Sequence, residues 1–187
     1  MLQIMTDLIS KLLDVGLFQF GAFTVNGVVQ PFVHHLEMLP AYPILLSAVG
    51  STIATHLKDR SSSHVLCAPD AISLGTVVSL ELSKSLVFPN ADGTVLIGAH
   101  DIGHPTVLVI NQWRGDAPML QLIRTAHRTG LQVEYIVSVV DGVAVALPEG
   151  VQAAFELIHV AQVVEVAETT QRIPAGQANA VRRWITQ

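Results

Sequence analysis

Four short β-branched or apolar runs, His64–Ala68, Ser85–Phe88, Thr106–Ile110 and Val133–Val140, share the middle of this chain with segments of helical periodicity. That alternation restricts the fold more than any other feature. Runs of four to eight such residues, buried on both faces, suit parallel strands, which need helical crossovers between them. Ala71–Leu82 and Asp116–Thr129 supply crossovers, the second ending at Gly130, a residue suited to a left-handed helix cap. The expected fold class is α/β, a central, mainly parallel sheet flanked by helices. Ligands in such sheets bind beyond the carboxyl ends of the strands, which directs attention to the loops after Ala68, Ile110 and Asp141.

Other elements read more briefly. Ile4, Met5, Leu8, Ile9, Leu12 and Leu13 fall at helical spacing before Gly16, and Leu17–Val33 reads as a strand or hairpin. Pro43–Leu57 is a second helix and Val95–Gly98 a short strand. Glu149–Phe155 is expected to be helical, Leu157–Val160 a strand, and Ala178–Ile185 a last helix. No repeat or linker divides the 187 residues, so one globular domain is expected.

Charge narrows the function classes. Only 13% of residues are charged and 50% are hydrophobic, which excludes a disordered chain. No run of 18 apolar residues occurs; Glu134, Asp141 and Gly142 interrupt the richest stretch, so no membrane association is expected. A net charge of −5 argues against nucleic-acid binding. No signal peptide is evident, and the one cysteine, Cys67, gives no sign of export, so a cytoplasmic location is expected. The deficit of charge suggests apolar surface covered in an oligomer.

The loop Asn111-Gln112-Trp113-Arg114-Gly115-Asp116-Ala117-Pro118 joins a strand to a helix, a place where free backbone N–H groups hold phosphates. Asp116 stands at the N-cap position, where its carboxylate would take those N–H groups and repel an anion. Trp113 and Arg114 could stack on a base, or Trp113 could pack over the sheet end. His34 and His35 point to opposite faces of an extended segment, and His100 and His104 flank Gly103 in a loop. The first pair cannot easily share a metal, and the four-residue spacing of the second suits one only on a helix, which Gly103 and Pro105 argue against, so no metal ligands are assigned. There is no Gly-x-Ser-x-Gly elbow to support a hydrolase.

Phe20-Gly21-Ala22-Phe23-Thr24-Val25-Asn26-Gly27, followed by Gln30-Pro31-Phe32-Val33, resembles the N-terminal signature of orotate phosphoribosyltransferases, F-G-x-F-T-L-K-S-G and then S-P with an aromatic residue. The helix start Tyr42-Pro43 and the segment Ala68-Pro69-Asp70-Ala71-Ile72-Ser73-Leu74-Gly75, similar to the family's G-P-x-x-x-G-I-P loop, follow in order. The resemblance implies a type I phosphoribosyltransferase fold, normally a dimer. It comprises an N-terminal hood element over residues 1–40 and an α/β core over 41–187 of a single domain. It also implies a ligand site at Asn111–Ala117, with Asn26, Pro69, Asp70, Ala71, His100, His104 and Asp141 as further pocket candidates. Nucleotide, base or phosphate ligands follow, with Mg²⁺ only as a companion of phosphoribosyl pyrophosphate; no other cofactor and no catalytic residue is assigned.

The departures fall on the catalytic parts. Where the family has two adjacent acids for the ribose hydroxyls, this chain has Asn111 and Gln112, and its phosphate loop aligns with Trp113–Ala117. The stretch matching the mobile basic loop, Phe88–Gly93, has no cation, and Lys84 is the only Lys or Arg between Ser61 and Trp113. Asn26 stands nearest the family's lysine. Three readings follow: a phosphoribosyltransferase-like binding or regulatory homodimer whose site is lost or rebuilt; an active transferase with an altered phosphate site using Arg114 and His100 or His104; and a structural interaction module.

Overall fold

A computed structural model describes residues 2–25, 27–99, 102–142 and 146–186, apart from the side chain of Leu2. The elements run α1 (Leu2–Asp14), β1 (Phe18–Val25), β2 (Val28–His34), α2 (Pro43–Leu57), β3 (His64–Cys67), α3 (Ile72–Leu82), β4 (Ser85–Pro89), β5 (Leu96–Ile97), β6 (Pro105–Gln112), α4 (Ala117–Arg128), β7 (Gln132–Val140), β8 (Ala153–Ile158), α5 (Val160–Thr169) and α6 (Ala175–Ile185). Two compact units result, one of residues 1–45 with 158–187 and one of 46–157.

In the first unit β1 and β2 form an antiparallel hairpin, with Phe20 opposite Phe32 and an irregularity between Phe20 and Phe23. Phe18 and Phe20 both pack on Phe32, with ring centres 5.8 and 5.4 Å away. Leu8, Ile9 and Leu12 bury one face of α1. Arg172 ties the segment after α5 to α1, donating to the Ser10 carbonyl (2.9 Å) and pairing with Asp14 (2.9 Å).

The second unit carries a six-stranded sheet in the order β5-β4-β3-β6-β7-β8. The pairs β3–β4, β3–β6 and β6–β7 are parallel, as the alternating pattern predicts, and the short β5 runs antiparallel to β4 at the edge. Val65, Leu66, Val107–Ile110 and Val137 are fully buried, which is why these runs carry no polar alternation. The chain moves outward from β3 to β4 and returns to the other side of β3 for β6. The β3/β6 boundary is thus the topological switch point, the crevice where open α/β sheets bind ligands.

One stretch differs from the sequence expectation. Glu149–Phe155 is not helical: Gly150 takes a left-handed φ of +87°, and the chain then enters β8 with Gln152 N–H donating to the Glu134 carbonyl (2.8 Å). Leu157 belongs to β8, but Val160 opens α5, a helix the pattern did not predict. Val160, Val163, Val164 and Ala167 lie at helical spacing and are buried. Gln162 Oε1 also accepts from the His159 N–H (3.0 Å) and closes the first turn. Burial of a stripe overrides β propensity here.

Candidate functional site

Three loops meet at the carboxyl ends of β3, β6 and β7, and the polar side chains there tie the loops to one another. β6 ends in Asn111 and Gln112. Asn111 is buried (2% exposed), and its Nδ2 donates to the Asp70 carbonyl at 2.9 Å. That bond spans the switch-point crevice between β6 and the loop after β3. Gln112 Nε2 donates to the Asp141 carbonyl at 2.9 Å and fastens the other side of β6 to the end of β7. Both bonds need an N–H donor, which an amide has and a carboxylate lacks.

The backbone closes the same region. A Cβ on Gly142 would lie 1.9 Å from the Trp113 carbonyl oxygen, so the chain leaving β7 passes against the loop leaving β6 and only glycine fits. Trp113 is 4% exposed and packs with Leu66, Ala71, Ile110 and Met119. Its ring faces are therefore covered by protein, not presented for stacking, and its buried indole N–H has no acceptor among the described residues.

The helix start beyond the loop is occupied by its own chain, as the position of Asp116 predicts. Asp116 caps α4, accepting from Met119 N–H at 3.1 Å, and Pro118 removes a further donor from the first turn. Arg114 Nε pairs with the other Asp116 oxygen at 3.0 Å, while Gly115 turns the chain with φ +61°. The one cation of the loop is thus paired with the carboxylate that caps α4.

A cavity of about 400 Å³ opens beside this loop, lined by Pro69 and Asp70, by Ala91 and Asp92 of the turn after β4, and by Arg114 and Pro118. The β4 turn is self-contained: Thr94 donates its amide and hydroxyl to Asp92, and Val95 N–H donates to Asn90 Oδ1. The Thr94 hydroxyl and amide hold the Asp92 carboxyl below its usual range. Two carboxylates and one paired guanidinium make a poor seat for pyrophosphate.

Of the residues expected at the site, Asn111–Ala117, Pro69, Asp70, Ala71 and Asp141 gather at this rim. His104 does not. It precedes the first residue of β6, at the opposite rim, where its ring meets that of His64 with centres 5.5 Å apart. An eight-residue strand separates the two ends by about 25 Å. Lys84 also lies at that far rim, donating to Ser62 Oγ (2.9 Å), with burial lowering its pKa. Asn26 and His100 lie outside the described residues. No group of three or more His, Cys, Asp or Glu among the described residues can hold a metal ion. No described helix is long and apolar enough to cross a membrane. Sequence reasoning missed Gly142; the Asp141-Gly142 pair directly after a buried strand was its available signal.

Solved structures share this architecture. UMP synthase of Leishmania donovani superposes with a TM-score of 0.82 at 21% identity, covering 97% of this chain and 42% of the synthase. Orotate phosphoribosyltransferase of Francisella tularensis gives 0.70 at 14% identity over 94% of this chain and 96% of that one. The enzyme from Aeropyrum pernix is similar, at 0.68, 17%, 89% and 99%. The chain has the orotate phosphoribosyltransferase fold. No family model matches the sequence. A non-reducing polyketide synthase of Emericella nidulans, aptA, is 29% identical over 138 residues, a match that covers 69% of this chain but spans only 8% of the synthase. Set on the phosphoribosyltransferase fold, the amide pair, the capped helix and the neutralised Arg114 occupy the rim where the sheet topology places a ligand.

Proposed function

We propose that this chain is a non-catalytic orotate phosphoribosyltransferase-like protein, a homodimer with a binding or regulatory role whose phosphoribosyl pyrophosphate site has been rebuilt. In this reading residues 1–187 form one phosphoribosyltransferase-like domain working in the cytoplasm. The observation that carries it is the use of Asn111 and Gln112 as donors to the Asp70 and Asp141 carbonyls. Side chains spent in pinning three loops together do not hold a ribose. The amides offer no carboxylate to a Mg²⁺ ion accompanying pyrophosphate, and magnesium prefers carboxylate and phosphate oxygens. Arg114, held by Asp116, is not free to stabilise a leaving pyrophosphate. A base or another neutral group suits the cavity beside Pro69, Asp70 and Pro118 better than a phosphate does.

The similarity to part of a polyketide synthase favours a second reading, in which the fold serves as a structural interaction module in or beside a multidomain enzyme. Calorimetry with phosphoribosyl pyrophosphate and Mg²⁺ at millimolar concentration tests the first. No saturable heat is expected. Saturable binding that vanishes in Arg114→Ala, together with pyrophosphate release when orotate is added, would overturn it in favour of an active transferase. A stable dimer that also ignores bases and nucleotides would leave the interaction module.

A further inference from the structure

A second cavity, of about 300 Å³, lies against the sheet on β7 and β8, well away from the loops that meet at the switch point. Its walls are one cation–ring stack and one ring–ring stack. From the end of α2 and the turn after it come His56 and Arg60; from the strands come Phe155 and Tyr135. The Arg60 guanidinium carbon sits 5.1 Å from the centre of the Tyr135 ring. The His56 ring stacks on Phe155 with centres 4.6 Å apart and planes 28° from parallel.

The polar atoms are oriented rather than merely present. His56 Nδ1 donates to the Thr52 carbonyl (2.9 Å), which fixes the ring and leaves Nε2 available. The Tyr135 hydroxyl donates to Gln152 Oε1 (3.3 Å) and sets the ring on which Arg60 rests. Arg60 is anchored by its backbone, its N–H donating to Leu57 O and its carbonyl accepting from Ser62 N–H. One face of its guanidinium is spent on Tyr135, and its edge, with paired N–H donors, has no acidic partner among the described residues. No Asp or Glu lines the cavity, and buried Leu57 and Ile136 provide an apolar floor.

We infer that this cavity is a binding site for a planar organic anion, an aromatic carboxylate of one or two rings. The ring would lie on the apolar floor between the aromatic walls, and its carboxylate would meet the Arg60 edge in a two-bond fork. The volume is at the small end of the range for small-molecule sites, which limits the ligand to that size. The site is independent of whatever the carboxyl ends of the strands bind.

The test is calorimetric titration of the full chain with 2-naphthoate, repeated with the uncharged 2-naphthamide. One saturable site is expected for the carboxylate, with binding about tenfold or more weaker for the amide and for Arg60→Ala, and intermediate for Arg60→Lys. Arg124→Ala, a surface guanidinium bonded to Gln121, should bind as the parent does. Thermal unfolding of each variant checks the fold, and the carboxylate–amide comparison needs no variant at all. Equal affinity for 2-naphthoate and 2-naphthamide overturns the assignment. So does an Arg60→Ala variant that binds like the parent, the absence of saturation in the millimolar range, or a loss produced by Arg114→Ala. None of these outcomes bears on phosphoribosyl pyrophosphate, which is titrated separately.

Discussion

Two cavities of the 46–157 unit use arginine in opposite ways. Beside the switch point, Arg114 is paired with Asp116, and two further carboxylates, Asp70 and Asp92, line the space. Against β7 and β8, Arg60 rests on Tyr135, and no carboxylate faces it from the lining. The sheet therefore keeps its unspent cation away from the place where its fold predicts an anion. Polar groups at the switch point have been turned inward to hold loops. In the second cavity the Tyr135 hydroxyl and His56 Nδ1 are likewise spent, on Gln152 and Thr52, but the Arg60 guanidinium has no carboxylate partner in the lining. A fold thus indicates where ligands can be accommodated, whereas the local donors decide what a given crevice can hold.

Asn111→Asp should break the contrast most strongly. The two side chains have the same shape, but a carboxylate would place charge against the Asp70 carbonyl in a site only 2% exposed. A loss of about 3 kcal/mol is expected in urea unfolding at neutral pH, narrowing on acidification as the new carboxyl takes a proton. An undiminished stability would mean that the crevice is open enough to solvate an acid, and the rebuilt-site reading would fail. Gly142→Ala should cost about 2 kcal/mol, because the added methyl cannot coexist with the Trp113 oxygen and the β6 and β7 exits must part. The matching change in the other cavity, Tyr135→Phe, should leave stability nearly unaltered, since it removes only an exposed hydroxyl bond to Gln152.

Much of the fold was legible because it rests on local patterns. β3, β6 and β7 announce themselves as apolar runs, and Asp116 reads as a cap from its place before Ala117-Pro118. The amides at Asn111 and Gln112 were equally plain, but what they do was not. Their partners lie 41 and 29 residues away in sequence, and nothing local marks a backbone carbonyl as an acceptor. His104 is a different case: it precedes Thr106–Ile110 and Asn111 follows that run, so the strand itself sets them at opposite ends. The second cavity went unread because β7–β8 pairing sets Tyr135 beside Phe155 beneath Arg60 of the turn after α2, whereas Glu149–Phe155 reads as helical in sequence. Without that pairing Phe155 has no reason to meet His56.

Asp116→Ala sharpens the comparison with a smaller effect. It removes the cap on Met119 N–H and releases Arg114, so a loss of about 1.5 kcal/mol is expected in thermal or chemical unfolding. The same variant should gain affinity for inorganic phosphate, which calorimetry would detect. A variant destabilised without any such gain would show that Arg114 is misdirected even when unpaired, and that Asp116 is purely a cap.

Cys67 gives a smaller effect than Asp116 and probes how tightly the β3 end of the switch point is closed. Its thiol is fully buried, lies 3.6 Å from the Val87 carbonyl, and sits where Gly75 leaves room for it. Burial, with a further contribution from the Asp70 carboxylate, pushes its pKa up from 9.0 to about 12. Because the native value is the higher one, the fold favours the neutral thiol. That stabilisation is complete below pH 9.0 and is lost as the pH rises toward about 12, where the unfolded chain has already ionised. Unfolding midpoints should therefore fall between pH 9 and 11 by more in the parent than in Cys67→Ala, with a difference of about 1 kcal/mol by pH 10. An aromatic disulfide reagent at pH 8 should leave the native thiol unmodified and react at once after unfolding. Rapid reaction in the native state would show that the rim opens on its own, and that Asn111 fastens it less firmly than its bond to Asp70 implies.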